Sequence, residues 1–272
     1  MIATGRAVLR AALLGIVACA TTPSIAAETR LFVIAGQSNA VAAGGVLDMA
    51  PDLDAGATLP NVKIWKNDAA EPSFVIMRLG QNTVQYPALQ HQHVNFGPEW
   101  GMAERYVETF EGDGARFFKF ARGKTSLLNP DHWSPDGPST NLYGQMRAHL
   151  RTIAAEGHVA SCFVWVQGEA DRAKDGDLYE AAFRRLIAGV ETALGQTEMT
   201  IVWPRLSQRR DNTETARVAT ENFRAMQTRI AGDPALRVRL VDVDDLAKRD
   251  NVHFDATSVR TLGRRVMKRC LE

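Results

Sequence analysis

The chain predicts an α/β protein of three layers, a mainly parallel sheet with helices covering both faces. Two observations carry this. Short runs rich in β-branched and aromatic residues recur at positions 30–35, 115–121, 159–166, 199–206 and 237–243, each with the length and apolar continuity of a buried strand. Between them lie stretches with helical spacing at 98–110, 142–155, 178–194 and 213–230, and a last one at 256–268 closes the chain. Strand and helix therefore alternate, and alternation builds a doubly wound sheet through crossover connections.

Taken in order, the first residues stand apart from that pattern. Arg6 and Arg10 precede the apolar run from Ala11 to Ala20, and the small residues Ser24-Ile25-Ala26-Ala27 follow. This layout predicts a signal peptide over 1–27, an exported (periplasmic or secreted) protein, and a mature domain over 28–272. The apolar run is well short of the ~20 residues that span a bilayer, so no permanent membrane helix is expected. Ile16-Val17-Ala18-Cys19 offers an alternative, a lipid anchor at Cys19.

From residue 28 on, the chain has the composition of one globular domain. Across all 272 residues, 45% are hydrophobic and 23% are charged, enough apolar chain for one sizeable core. Thirty-two basic residues against 31 acidic ones leave a net charge of +1, so no global field attracts nucleic acid or an anionic membrane. Of the three cysteines, Cys162 and Cys270 follow the leader; one disulfide is allowed, but Cys162 sits within Cys162-Phe163-Val164-Trp165-Val166 and reads as a buried core thiol. Segments 46–60 and 81–97 lack periodicity and are expected as surface loops near a site.

In an open parallel sheet, ligands bind beyond the carboxyl ends of the strands. Gly36-Gln37-Ser38-Asn39 follows the first predicted strand, Gly123-Lys124-Thr125-Ser126 the second and Gln167-Gly168-Glu169 the third, while Asp250-Asn251-Val252-His253 comes shortly after the last. Acyl transfer requires a nucleophile, a base, an acid that orients the base, and donors for a developing oxyanion. Ser38 in a tight turn is the candidate nucleophile, His253 the base, and Asp250 the partner of its other imidazole nitrogen. The backbone N–H groups of Ser38 and Gly123 and the Gln167 amide are the candidate oxyanion donors. Gln37, Asn39 and Glu169 are given supporting parts, and a carboxylate beside Gln167, Glu169 or Asp171, is the alternative partner for His253 or an anchor for its loop. Without its neighbours, Ser38 would read as an ordinary turn or cap residue, and Asp255 competes with Asp250 as a cap for the last helix.

These residues resemble the sialate O-acetylesterase-like carbohydrate esterases of the SGNH hydrolase superfamily. The resemblance rests on Gly36-Gln37-Ser38-Asn39, Phe96-Gly97-Pro98-Glu99, Gly123-Lys124-Thr125-Ser126-Leu127 with Trp133, Trp165-Val166-Gln167-Gly168-Glu169-Ala170-Asp171, and Asp250-Asn251-Val252-His253-Phe254. It implies a flavodoxin-like SGNH fold, no metal or organic cofactor, and hydrolysis of acetyl esters on sugars such as sialic acid or an acetylated polysaccharide. It also supports Ser38, Asp250 and His253 as the triad. The chain departs from the family's usual pattern at Lys124, where the family often has glycine, and at Ala40, where methionine is common.

Other clusters compete for attention. His91-Gln92-His93 and Asp131-His132 could share an ion but lack further ligands at recognisable spacing. Tyr86, Trp100 and Trp133 could stack on sugar rings or simply pack, and Arg205 or Arg209 could meet a sugar carboxylate. Lys248-Arg249, Arg264-Arg265 and Lys268-Arg269 read as a solvated face. A lipid or thioester hydrolase and a non-catalytic carbohydrate-binding protein are the alternative functions.

Overall fold

The computed structural model describes residue 1 and residues 29–41, 51–67, 70–81, 83, 95–197, 199–211 and 213–272. Residues 2–27 of the predicted leader, with Cys19, and Tyr86, His91 and His93 lie outside these residues. No helix among the described residues is long and apolar enough to cross a membrane.

Among the described residues, seven strands form one sheet: β1 (Arg30–Gly36), β2 (Thr58–Lys66), β3 (Ser73–Arg78), β4 (Ala115–Ala121), β5 (Ala160–Val166), β6 (Thr200–Pro204) and β7 (Val238–Val241). Their order is β3-β2-β4-β1-β5-β6-β7, and all pairs are parallel except β2 with β3. The five predicted strands and all five predicted helices stand within a few residues of their expected places. β2 and β3 have no counterpart among the predicted strands. Three residues of β2 fall in the segment expected as the 46–60 loop, and because five of its nine positions are exposed, β2 takes its strand order from pairing with β3 and β4 rather than from an apolar run of its own.

Alternation along β1 shows how the layers form. Leu31, Val33 and Ala35 face a core built with α3 (Leu142–Ala155), α4 (Gly176–Leu194) and α5 (Glu214–Ala231), while Phe32 and Ile34 face one built with α2 (Pro98–Thr109) and α6 (Ala256–Leu271). Helices α2 and α6 pack closely, because Gly101 lies against the Arg260 carbonyl and Gly263 against the Pro98 carbonyl, where a Cβ would overlap. Of the six basic residues expected as a solvated face, Arg264 forms an ion pair with Glu108, Arg265 with Asp245, and Arg269 with Glu272.

Cys162 is a correction. It is fully buried as expected, yet it is bonded to Cys270 across 108 residues. Cys162 lies on the face of β5 that α6 covers, so its partner is a neighbour in space that local periodicity could not reveal. The bridge ties the last helix, and with it the loop preceding that helix, to the central part of the sheet. Closing a loop of this length restricts the unfolded chain, so the double substitution Cys162→Ala with Cys270→Ala is expected to lower the unfolding free energy by roughly 2–5 kcal/mol in a denaturant titration; an unchanged value would mean that the bond does not form.

Candidate active site

β1 lies between β4 and β5, where the winding of the sheet reverses, and its carboxyl end opens the crevice in which open α/β sheets bind ligands. Pairing continues past the strand ends, with Gln37 N donating to Val166 O at 2.9 Å and Arg122 N to Gly36 O at 3.1 Å. Gly36 has φ of +142°, and a Cβ there would overlap the Val166 carbonyl, so only glycine lets the chain leave the strand this close to β5. Ser38 then opens α1, described over Ser38–Val41, whose turn is closed by the Ala40 and Val41 N–H groups on Gln37 O. Gly123 sits in front of it, where a Cβ would stand 3.7 Å from that of Ser38.

The base comes from the loop between β7 and α6. This loop is closed at its foot by Arg249 N on His253 O (3.0 Å), Asp255 N on Ala247 O (3.1 Å) and a bridge between Lys248 and Phe254. At its tip, Asp250 Oδ1 accepts from the backbone N–H groups of Val252 and His253, both at 2.8 Å. Asp250 Oδ2 lies 2.7 Å from His253 Nδ1, and His253 Nε2 lies 3.0 Å from Ser38 Oγ. Burial alone would raise the Asp250 carboxyl; hydrogen bonds from the backbone of His253 and Val252 and from the imidazole outweigh it and bring the pKa down to about 2. Asp255 does cap the last helix, accepting from Ser258 N at 2.8 Å, which leaves Asp250 to His253.

Glu169 does not reach the imidazole as a hydrogen-bond partner. Its Oε1 accepts from Asn39 Nδ2 at 2.7 Å, and burial raises its carboxyl, with the Asn39 bond opposing. The same Asn39 amide donates to Val252 O at 3.2 Å and its oxygen accepts from Phe254 N at 3.3 Å. One side chain thus joins the nucleophile turn, the loop after β5 and the histidine loop. Gln37 is buried as well, with Oε1 3.4 Å from Ala170 N.

Gln167 is placed differently from expectation. Its Nε2 donates to Asp171 Oδ2 at 2.5 Å and Thr125 O at 3.2 Å, while Tyr179 donates to its Oε1 at 2.5 Å. Gln37 Oε1 stands as a third acceptor at 3.4 Å, so the two amide hydrogens are already committed, and Gln167 braces the site from beneath and is not a free oxyanion donor. Asp171, which the sequence offers beside Glu169 either as a partner for His253 or as a loop anchor, takes the second part: it completes that brace by accepting from Leu127 N at 2.8 Å and from the Ser126 hydroxyl, which fixes the turn carrying Gly123. Its signal is its place in the Gln-Gly-Glu-x-Asp stretch.

Trp100 and Trp133 pack. Both are buried, and their indole N–H groups donate to Glu104 and Thr125. Arg209 is committed to Asp211, whereas Arg205 lines a narrow cleft with Asn39, Glu169 and Phe254. His132 accepts from Ser126 N at 3.2 Å, and among the described residues no group of three or more His, Cys, Asp or Glu side chains could hold a metal ion.

Lys124 has φ of +60°, a left-handed conformation that disfavours a side chain. The lysine that departs from the expected glycine therefore carries backbone strain beside the nucleophile. Lys124→Gly is expected to raise the unfolding free energy by about 0.5–1 kcal/mol, the relieved strain less the added freedom of the unfolded chain; a loss of stability in urea titration would contradict this.

The family described as "carbohydrate esterase, sialic acid-specific acetylesterase" matches residues 28–272. Among solved structures, the chain is similar to a protein from Arabidopsis thaliana (19% identity, TM-score 0.68, covering 90% of this chain and 98% of that one). It is similar also to NanS (15% identity, TM-score 0.68, covering 89% and 96%) and to a carbohydrate acetylesterase from Xanthomonas citri (14% identity, TM-score 0.65, covering 88% and 55%). No curated protein matches. With the family matched over nearly the whole chain and the fold shared with such esterases, this protein belongs to the sialic acid-specific acetylesterase family of carbohydrate esterases and is a carboxylic ester hydrolase.

Proposed function

We propose that the protein removes O-acetyl groups from carbohydrates through an acetyl-serine intermediate, with sialic acid or an acetylated polysaccharide as the substrate class. The observation that carries this reading is the continuous line from Ser38 Oγ through the His253 imidazole to Asp250, with contacts of 3.0 and 2.7 Å. Ser38 Oγ attacks the ester carbonyl carbon as His253 Nε2 takes its proton. The resulting oxyanion faces the backbone N–H groups of Ser38, at the start of a helix, and of Gly123. Collapse expels the sugar alkoxide, which receives the proton from His253, and leaves acetyl-Ser38. Water, deprotonated by the same nitrogen, releases acetate and restores the serine.

Asp250 holds one tautomer of His253 and stabilises the imidazolium. Arg205, at the rim of the narrow cleft beside Asn39, is the better placed of the two sequence-predicted arginines for a sugar carboxylate, since Arg209 is already paired. Export is proposed from the leader-like 1–27 segment and is supported by the Cys162–Cys270 bond, which forms in oxidising compartments.

The test is hydrolysis of 4-nitrophenyl acetate and of O-acetylated sugars by the mature protein. Ser38→Ala and His253→Ala are each expected to lower kcat by roughly 10⁴-fold or more, and Asp250→Asn by about 10²–10⁴-fold. Full activity of Ser38→Ala would refute the mechanism, and a rate rising with acyl length would favour a lipid or thioester hydrolase. A second expectation concerns pH. Because the folded Asp250 carboxyl is lowered from 3.8 to about 2, its contribution to stability is present above about pH 4 and is lost as pH falls through about 2. The urea midpoint of the wild type should therefore drop more steeply across that window than that of Asp250→Asn; parallel profiles would contradict it.

A further inference from the structure

Behind the nucleophile turn, on the side away from the cleft, lies a charge pair that the proposed chemistry does not use. Lys119, on β4, and Glu99, in the first turn of α2, are both fully buried, with Lys119 Nζ 2.7 Å from Glu99 Oε1. The ammonium also donates to Val41 O at 3.0 Å and to Thr83 O, so its three hydrogens meet three acceptors. Glu99 Oε1 accepts from Gly97 N at 2.9 Å as well. A Cβ on Gly97 would collide with both Glu99 Oε2 and Ala40 O and would stand 3.2 Å from Lys119 Nζ, so the carbonyl end of the nucleophile turn and the ion pair converge on one point.

Such a pair is a poor way to gain stability. Burial raises the Glu99 carboxyl and lowers the Lys119 ammonium, and their mutual attraction opposes both shifts. Well-packed apolar side chains of similar volume commonly serve a core as well or better. What they cannot do is aim donors. Every donor here is directed at a backbone or carboxylate oxygen, and one of those oxygens belongs to Val41, at the end of the described turn that starts with Ser38.

We propose that Lys119 and Glu99 are positioning residues for the nucleophile: the buried pair clamps the Val41 carbonyl and so fixes the turn from which Ser38 projects toward His253. Ser38 must hold a 3.0 Å contact with His253 Nε2 while keeping its N–H free for the oxyanion, and displacement by about 1 Å would cost on the order of 10²-fold in rate. The Asn39 bonds hold the turn from the histidine side; the Lys119 bond holds it from the opposite side. The rate consequence rests on the esterase mechanism proposed above, but the clamp itself does not.

The test compares wild type with the double variant Lys119→Met and Glu99→Leu, which removes both charges and so leaves neither one unpaired in the core. Four quantities are read: the thermal midpoint, kcat and KM on 4-nitrophenyl acetate, and amide hydrogen exchange of the peptide containing Ala40 and Val41. The proposal expects a midpoint at or near that of wild type, exchange in this peptide faster by at least about tenfold while the central strands keep their protection, and kcat lower by at least about tenfold with KM little changed. Single Lys119→Met, which strands a carboxylate, is expected to lose stability as well. Unchanged exchange at Ala40 and Val41 in the folded double variant would overturn the clamp, and wild-type kcat in a variant with loosened exchange would overturn its role in positioning. Absence of hydrolysis by the wild type would count against the esterase mechanism, and exchange would still decide the clamp.

Discussion

The site depends on the parallel pairing of β1 with β4 on one side and β5 on the other. Because the three strands run the same way and end at the same level, Ser38, Gly123 and the Gln167–Asp171 segment all emerge at one edge of the sheet. Gly36 is the narrow point of that convergence: its missing side chain lets the first turn pass over the Val166 carbonyl without breaking the ladder. The histidine loop is the one part that the sheet does not deliver directly, and it is held by α6 behind it and by Asn39 in front.

Around this edge the protein buries a set of polar side chains that satisfy one another. Gln167, Asp171, Thr125, Tyr179 and Trp133 form one connected network under the Gly123 turn, and Asn39 with Glu169 forms another beside the histidine loop. Networks of this kind stabilise only when every member is satisfied, because an orphaned buried group costs about 1–3 kcal/mol. Their effect is geometric. They restrict the rotamers and loop positions available to Ser38, His253 and Gly123, which is what a short-lived charged intermediate requires.

Much of this is legible in the sequence because it is local. Strand and helix periods locate the central elements, and the rule that sites follow strand ends is enough to place Ser38, Gly123 and His253 together. Asp250 can be paired with His253 because three residues suffice to fold a carboxylate back onto the ring. Partners distant in sequence are harder. Cys270 reaches Cys162 only through the packing of α6, and Glu169 contacts Asn39 rather than the imidazole for reasons set by side-chain direction. Gln167 escapes a correct assignment because its competing acceptors, Asp171 and the Thr125 carbonyl, are defined only once two loops meet. The strand β2 is hidden for a related reason, since a marginal strand takes its order from its neighbours more than from its own composition.

The most direct test is to trap the covalent intermediate. Mature protein mixed briefly with an acetyl ester, quenched in acid and digested, should carry one acetyl group on the peptide containing Ser38, and Ser38→Ala should carry none. Ester hydrolysis with no acetylated Ser38 under conditions where deacylation limits the rate, or an acetyl group found on another residue, would contradict the account.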